Sequence, residues 1–151
     1  TNTATMDVRG YVRGAGRHQV LAVRGAGGVS AGTVGTRRAF QLGGVQASPS
    51  VTSFASDALG LLRAFPAGSF AGTRIAVFNA EYRVPLPRLE RGVGTLPVFV
   101  RWLHVAAFAD AGRIWSDLRP DPRWKAAWGA ELSADVVAGY GLPLTLTAGM
   151  A

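Results

Sequence analysis

Alternation with a period of two runs through most of this chain, and it restricts what the chain can become to extended strands. Successive side chains of a strand point to opposite faces, so residues i and i+2 share a face. The clearest case is Thr73 to Val84. Ala76, Phe78, Ala80 and Tyr82 have one parity, and Ile75, Val77, Asn79, Glu81 and Arg83 the other. Pro85 and Pro87 predict its end, because neither can donate to a ladder. Pro97 to Gly112 repeats the pattern, with Leu103, Val105, Ala107 and Ala109 set against His104, Ala106, Phe108 and Asp110.

The flanking segments alternate in the same way. Met6, Val8 and Val12 oppose Asp7, Arg9 and Arg13, and the Gly14-Ala15-Gly16-Arg17 turn predicts a hairpin into a second strand over His18 to Gly25. Arg88 to Leu96 reads as a polar turn and Arg113 to Arg123 as a loop. Trp124 to Ala138 sets Ala130, Leu132, Ala134 and Val136 against Glu131, Ser133 and Asp135. After the turn Gly139-Tyr140-Gly141, Leu142, Leu144 and Leu146 alternate with Thr145 and Thr147. These segments predict an all-β antiparallel meander of about six strands.

Residues 25–72 break the rhythm. The segment is rich in Gly, Ser, Thr and Ala and is far longer than an ordinary connection, which marks either a disordered stretch or a functional loop packed on something. Phe40, Phe54, Leu59, Leu61, Leu62, Phe65 and Phe70 are too many large apolar groups for a solvated loop.

Composition removes several classes of function. A length of 151 residues suits one domain or a piece of one, and the chain begins in mid-pattern, as an internal segment would. A hydrophobic content of 48% with 17% charged residues excludes disorder. The net charge is +7, but the arginines are scattered and not interleaved with aromatics on one face, so no nucleic-acid partner is expected. There is no cysteine, hence no disulfide and no thiolate metal site. No run approaches the roughly 18 apolar residues of a membrane helix, and Thr1 to Gly10 reads as a strand and not as a signal peptide.

Catalytic and cofactor chemistry find little support. The two histidines, His18 and His104, fall on different strands, and His104 stands ~20 Å along its strand from Asp110. Glu131 and Asp135 would lie ~13 Å apart, too far for a carboxylate dyad. There is no G-x-S-x-G elbow, and Gly25-Ala26-Gly27 lacks the βαβ context of a dinucleotide fingerprint. No catalytic residue, metal ligand or cofactor is expected.

The alternation by itself leaves two architectures open. A soluble β-sandwich or small-barrel ligand-binding module hides its apolar face inside, whereas an outer-membrane barrel turns it outward to lipid. Two features favour the barrel. The polar faces are mixed, Asn79, Glu81 and Arg83 sharing a side with Ile75 and Val77, and Lys125 is the single lysine. Tyr82, Trp115, Trp124, Trp128 and Tyr140 lie near strand ends, where interfacial belts form.

Three motifs in order carry a resemblance: Leu62-Arg63-Ala64-Phe65, Glu81-Tyr82-Arg83-Val84-Pro85-Leu86 and Phe108-Ala109-Asp110-Ala111-Gly112. Together they resemble the C-terminal barrel of the BamA/TamA outer-membrane assembly and secretion superfamily, the bacterial surface antigen domain. Gln41-Leu42-Gly43-Gly44 looks like the lead into that family's long extracellular loop. Two positions depart from the family's V-R-G-F/Y pattern, Leu62 and Ala64.

The resemblance implies a partial transmembrane β-barrel in the bacterial outer membrane. Residues 1–151 would be a single segment of it, with 25–72 as an extracellular loop folded into the lumen. It also implies a non-enzymatic role in protein assembly or translocation, and a lumen lock of Arg63, Phe65, Glu81, Asp110 and Gly112. Arg63 would bind the two acids through its guanidinium fork. The implied partners are outer-membrane lipid, client β-barrel or secreted polypeptides, and accessory envelope proteins. In that family the seam strands open to admit a client strand, and this segment reads as lacking both.

Overall fold

The computed structural model describes residues 2–16, 18–33, 35, 37–44, 57–86, 89–92, 94–117, 123–139 and 141–151. Arg17, Phe54, Pro87, Arg88 and Tyr140, used above, lie outside them.

Six main strands form an all-β antiparallel meander: β1 (Asn2–Arg13), β2 (Val20–Ala31), β5 (Arg74–Pro85), β7 (Val98–Trp115), β8 (Lys125–Ala138) and β9 (Leu142–Met150). Their hydrogen-bonded order is β1-β2-β5-β7-β8-β9. Among the described residues, three short strands accompany them. β3 (Phe40–Leu42) and β4 (Phe70–Gly72) pair with each other, and β6 (Arg91–Gly92) pairs with β7. The described residues include no α-helix, only a 3-10 turn over Asp57–Gly60.

Most strand boundaries agree with the alternation, with two extensions. β2 continues to Ala31, past the Gly25 at which the sequence pattern stops, and β7 continues past Gly112 to Trp115. Gly25, Gly27 and Gly28 have no side chains, so they carry no hydropathy signal although the backbone stays extended. Gly28 is also a packing requirement: a Cβ there would come within 2.7 Å of the Phe40 ring. The long connection therefore opens after Ala31 and contains β3, the 3-10 turn and β4.

Two compact units are distinguishable. The first comprises Thr1–Gly10, Val23–Ala80 and Ala109–Trp128. Its core gathers Leu42, Leu59 and Leu62 from the connection onto Ala26, Ile75, Val77 and Ile114 of the strands, with Phe65 and Phe70 packed against it. The covered face is the mixed one, carrying Ile75, Val77 and Asn79 on β5 and Asp110, Gly112 and Ile114 on β7. Phe78 on the opposite face is 50% exposed and Trp128 is 80% exposed. A sheet folding in water alone would bury these rings and expose the polar row. Here the arrangement is the reverse, as lipid on the outside requires.

The second unit comprises Tyr11–Ala22, Glu81–Phe108 and Gly129–Ala151. Its first hairpin closes with the Gly14 amide donating to the Gln19 carbonyl at 2.8 Å, and His18 takes the left-handed conformation at φ 65°. The Tyr82 hydroxyl bonds the Gln19 side chain. In the β8–β9 pair, Ser133 faces Thr147 and Asp135 faces Thr145, while Ala134 faces Leu146 and Val136 faces Leu144. Polar thus meets polar on one side of the hairpin and apolar meets apolar on the other.

Candidate functional site

The β2–β5 connection is closed at its neck by β3 and β4, with Phe40 opposite Gly72 and Leu42 opposite Phe70. Beyond the neck the chain doubles back on itself. The Gly43 amide donates to the Gly60 carbonyl at 2.9 Å, and the Gly44 amide donates to the carbonyls of Leu62 and Phe65 at 3.1 and 2.8 Å. Gly43 and Gly44 have φ values of 121° and 100°, which side-chain-bearing residues rarely adopt. This is the physical reason for the Gly-Gly pair after Gln41-Leu42. The fully buried Leu42 and Leu62 then anchor this part of the connection against the sheet.

Anchoring Leu62 delivers Arg63 to β7. Its Nε donates to Asp110 Oδ2 at 2.9 Å, its Nη2 to Asp110 Oδ1 at 3.0 Å, and its backbone amide to Oδ2 at 3.2 Å. The side chains are 7% and 0% exposed, so the two-pronged ion pair is dry. Such charge-assisted forks fix geometry as well as energy. Asn79 of β5 completes the cage, its Nδ2 donating to Asp110 Oδ1 at 2.9 Å and to the Leu61 carbonyl at 3.1 Å.

The other expected lock residues take definite places. Phe65 meets Phe70 edge-on, with ring centroids 5.5 Å apart, and Lys125 lies 4.4 Å from the centre of the Phe70 ring. Gly112 is where Leu42 lands: a Cβ at that position would stand 2.8 Å from Leu42 Cδ1. Glu81 lies on β5 with its side chain 16% exposed and pairs with Arg83. The non-Gly residues with positive φ among those described are His18 and Glu90, so Ala64 sits where the family pattern has glycine without backbone strain.

The Omp85 superfamily domain matches residues 2–151. The chain belongs to the Omp85 superfamily. Omp85 barrel domains form a non-enzymatic family of outer-membrane protein assembly and translocation, which places this chain in the bacterial outer membrane. No curated protein and no solved structure matches it. The exposed Phe78 face agrees with an Omp85 wall and disagrees with the soluble module that alternation alone left open.

Three contributors escaped the sequence reading: Asn79, Arg24 and Asp7. Arg24 donates from Nε to both oxygens of Asp7 at 3.1 Å and from Nη2 to Oδ2 at 2.9 Å. Its Nη1 donates to Asn79 Oδ1 at 3.4 Å. Parity was their only available signal, since Asn79 shares a face with Glu81 and Asp7 stands opposite Met6 and Val8.

His104, also on a polar face, bonds Asp135 at 3.2 Å, and Thr145 donates to the other Asp135 oxygen at 2.8 Å. It contacts Asp135 across two strands as a half-exposed polar group, and stacks on Trp102.

Proposed function

We propose that residues 1–151 form one segment of the C-terminal barrel of an outer-membrane factor that inserts or exports β-rich polypeptides. In this reading the β2–β5 connection is a lumen plug locked by Arg63 between two acids, Asp110 and Glu81. The observation that carries it is the dry two-pronged Arg63–Asp110 pair inside an Omp85 match. Glu81 shares the Asn79 face of β5 and lies about 7 Å farther along the strand. A guanidinium has five N–H donors, enough to serve two carboxylates. Phe65 and Gly112 support the lock by packing, and no step requires a cofactor.

The partners of this reading are client β-barrel or secreted polypeptides, lipid on the Phe78 side, and accessory envelope proteins. A client strand would join an open sheet edge by backbone hydrogen bonding. Holding the connection in one place keeps the lumen shape constant while such an edge opens.

The test is limited proteolysis of the full-length protein carrying Glu81→Gln with Asp110→Asn. Faster cleavage between Gly25 and Gly72 supports the lock; an unchanged cleavage rate contradicts it.

A further inference from the structure

The Arg63–Asp110 pair is one end of a polar row that crosses four strands. In order the row runs Asp7 on β1, Arg24 on β2, Asn79 on β5 and Asp110 on β7, ending at Arg63. Two ion pairs therefore stand in one interior, and a single neutral side chain lies between them.

An amide meets every demand on that side chain. Asn79 accepts from the Arg24 guanidinium through Oδ1 and donates to the Asp110 carboxylate through Nδ2. Aspartate could accept from Arg24 but would repel Asp110, and leucine could do neither. Asn79 itself is buried, so an unmet amide group there would not be solvated. Its Nδ2 also holds the Leu61 carbonyl, two residues before Arg63. The amide thus touches the wall pair, the lock acid and the loop at once.

We propose that Asn79 is a positioning residue that makes the Asp7–Arg24 pair and the Arg63 lock one coupled unit. Docking of the connection and the arrangement of the β1–β2 wall then set one another. Losing charge at Asp7 lets Arg24 turn from Asn79. The amide then loses the partner that orients it toward Asp110, and the 61–65 segment loosens. Linkage makes the effect reciprocal, so release of the loop loosens the β1–β2 pair as well.

This inference rests on the lock proposed above, and hydrogen exchange on the full-length protein in bilayers separates the two. The reporter is the 61–65 segment, where the Arg63 amide donates to Asp110 directly. Asp110→Asn tests the lock itself: unchanged exchange at 61–65 would remove the premise and the coupling with it. Asp7→Asn tests the coupling, with a rise of roughly threefold or more expected at 61–65, far from the substitution. In an Asn79→Leu background the same change should have no further effect on 61–65. Exchange confined to β1 and β2 after Asp7→Asn, or equal increments in both backgrounds, would overturn the proposal. If Asn79→Leu fails to assemble, Asn79→Ala serves as the second background, because it removes both the acceptor for Arg24 and the donor to Asp110 without adding a charge beside the lock acid.

Discussion

Arg63 and Asp110 are 47 positions apart in sequence and share three hydrogen bonds, one of them from the Arg63 backbone amide. The backbone bond ties the main chain at Arg63, and not only its side chain, to β7. Removing either partner leaves the other charge buried alone, which costs about 3–5 kcal/mol. Asp110→Ala and Arg63→Ala are each expected to lower stability by that amount, read from denaturant unfolding of the folded barrel. The small losses typical of surface pairs, below about 1 kcal/mol, would place the pair in water instead.

Gly112 is a packing position. The Leu42 side chain occupies the space a Cβ would need, so Gly112→Ala should cost about 1–3 kcal/mol through overpacking. Pairing it with Leu42→Val conserves volume and should recover part of that loss. Strictly additive losses in the double variant would show that the two residues do not touch.

Phe78 separates a lipid-facing wall from a solvated one. Phe78→Arg should cost about 2–4 kcal/mol if the residue sits near the bilayer midplane. On a water-facing surface the same change falls within about 0.5 kcal/mol of neutral. Unfolding in lipid vesicles measures the difference.

Ala64 offers a test of the departure from the family pattern. Since its φ is not positive, Ala64→Gly relieves no strain and adds freedom to the unfolded chain. A loss of about 0.4–1 kcal/mol is expected. A gain in stability would mean that the docked loop strains this residue.

The strands were legible in the sequence because hydropathy alternates wherever one face meets lipid and the other the interior. Thr73 to Val84 and Pro97 to Gly112 show it residue by residue. Legibility failed at Gly25, Gly27 and Gly28, where the strand continues without side chains to report it. The pairing of Arg63 with Asp110 came from motif order, since no local rule links residues this far apart. Asn79 was visible as a polar residue on a mixed face, but its donor and acceptor roles depend on Arg24 and Asp110 arriving on either side. Those arrivals are set by strand order, which alternation does not encode.

A double-mutant cycle on Arg63 and Asp110 tests the central claim most directly. Stability would be measured for Arg63→Ala, Asp110→Ala and both together, in the full-length protein folded in bilayers. The lock predicts that the double variant loses less than the sum of the single losses, by about 1–3 kcal/mol. Losses that add within about 0.5 kcal/mol would show that the two side chains act independently, contradicting the lock.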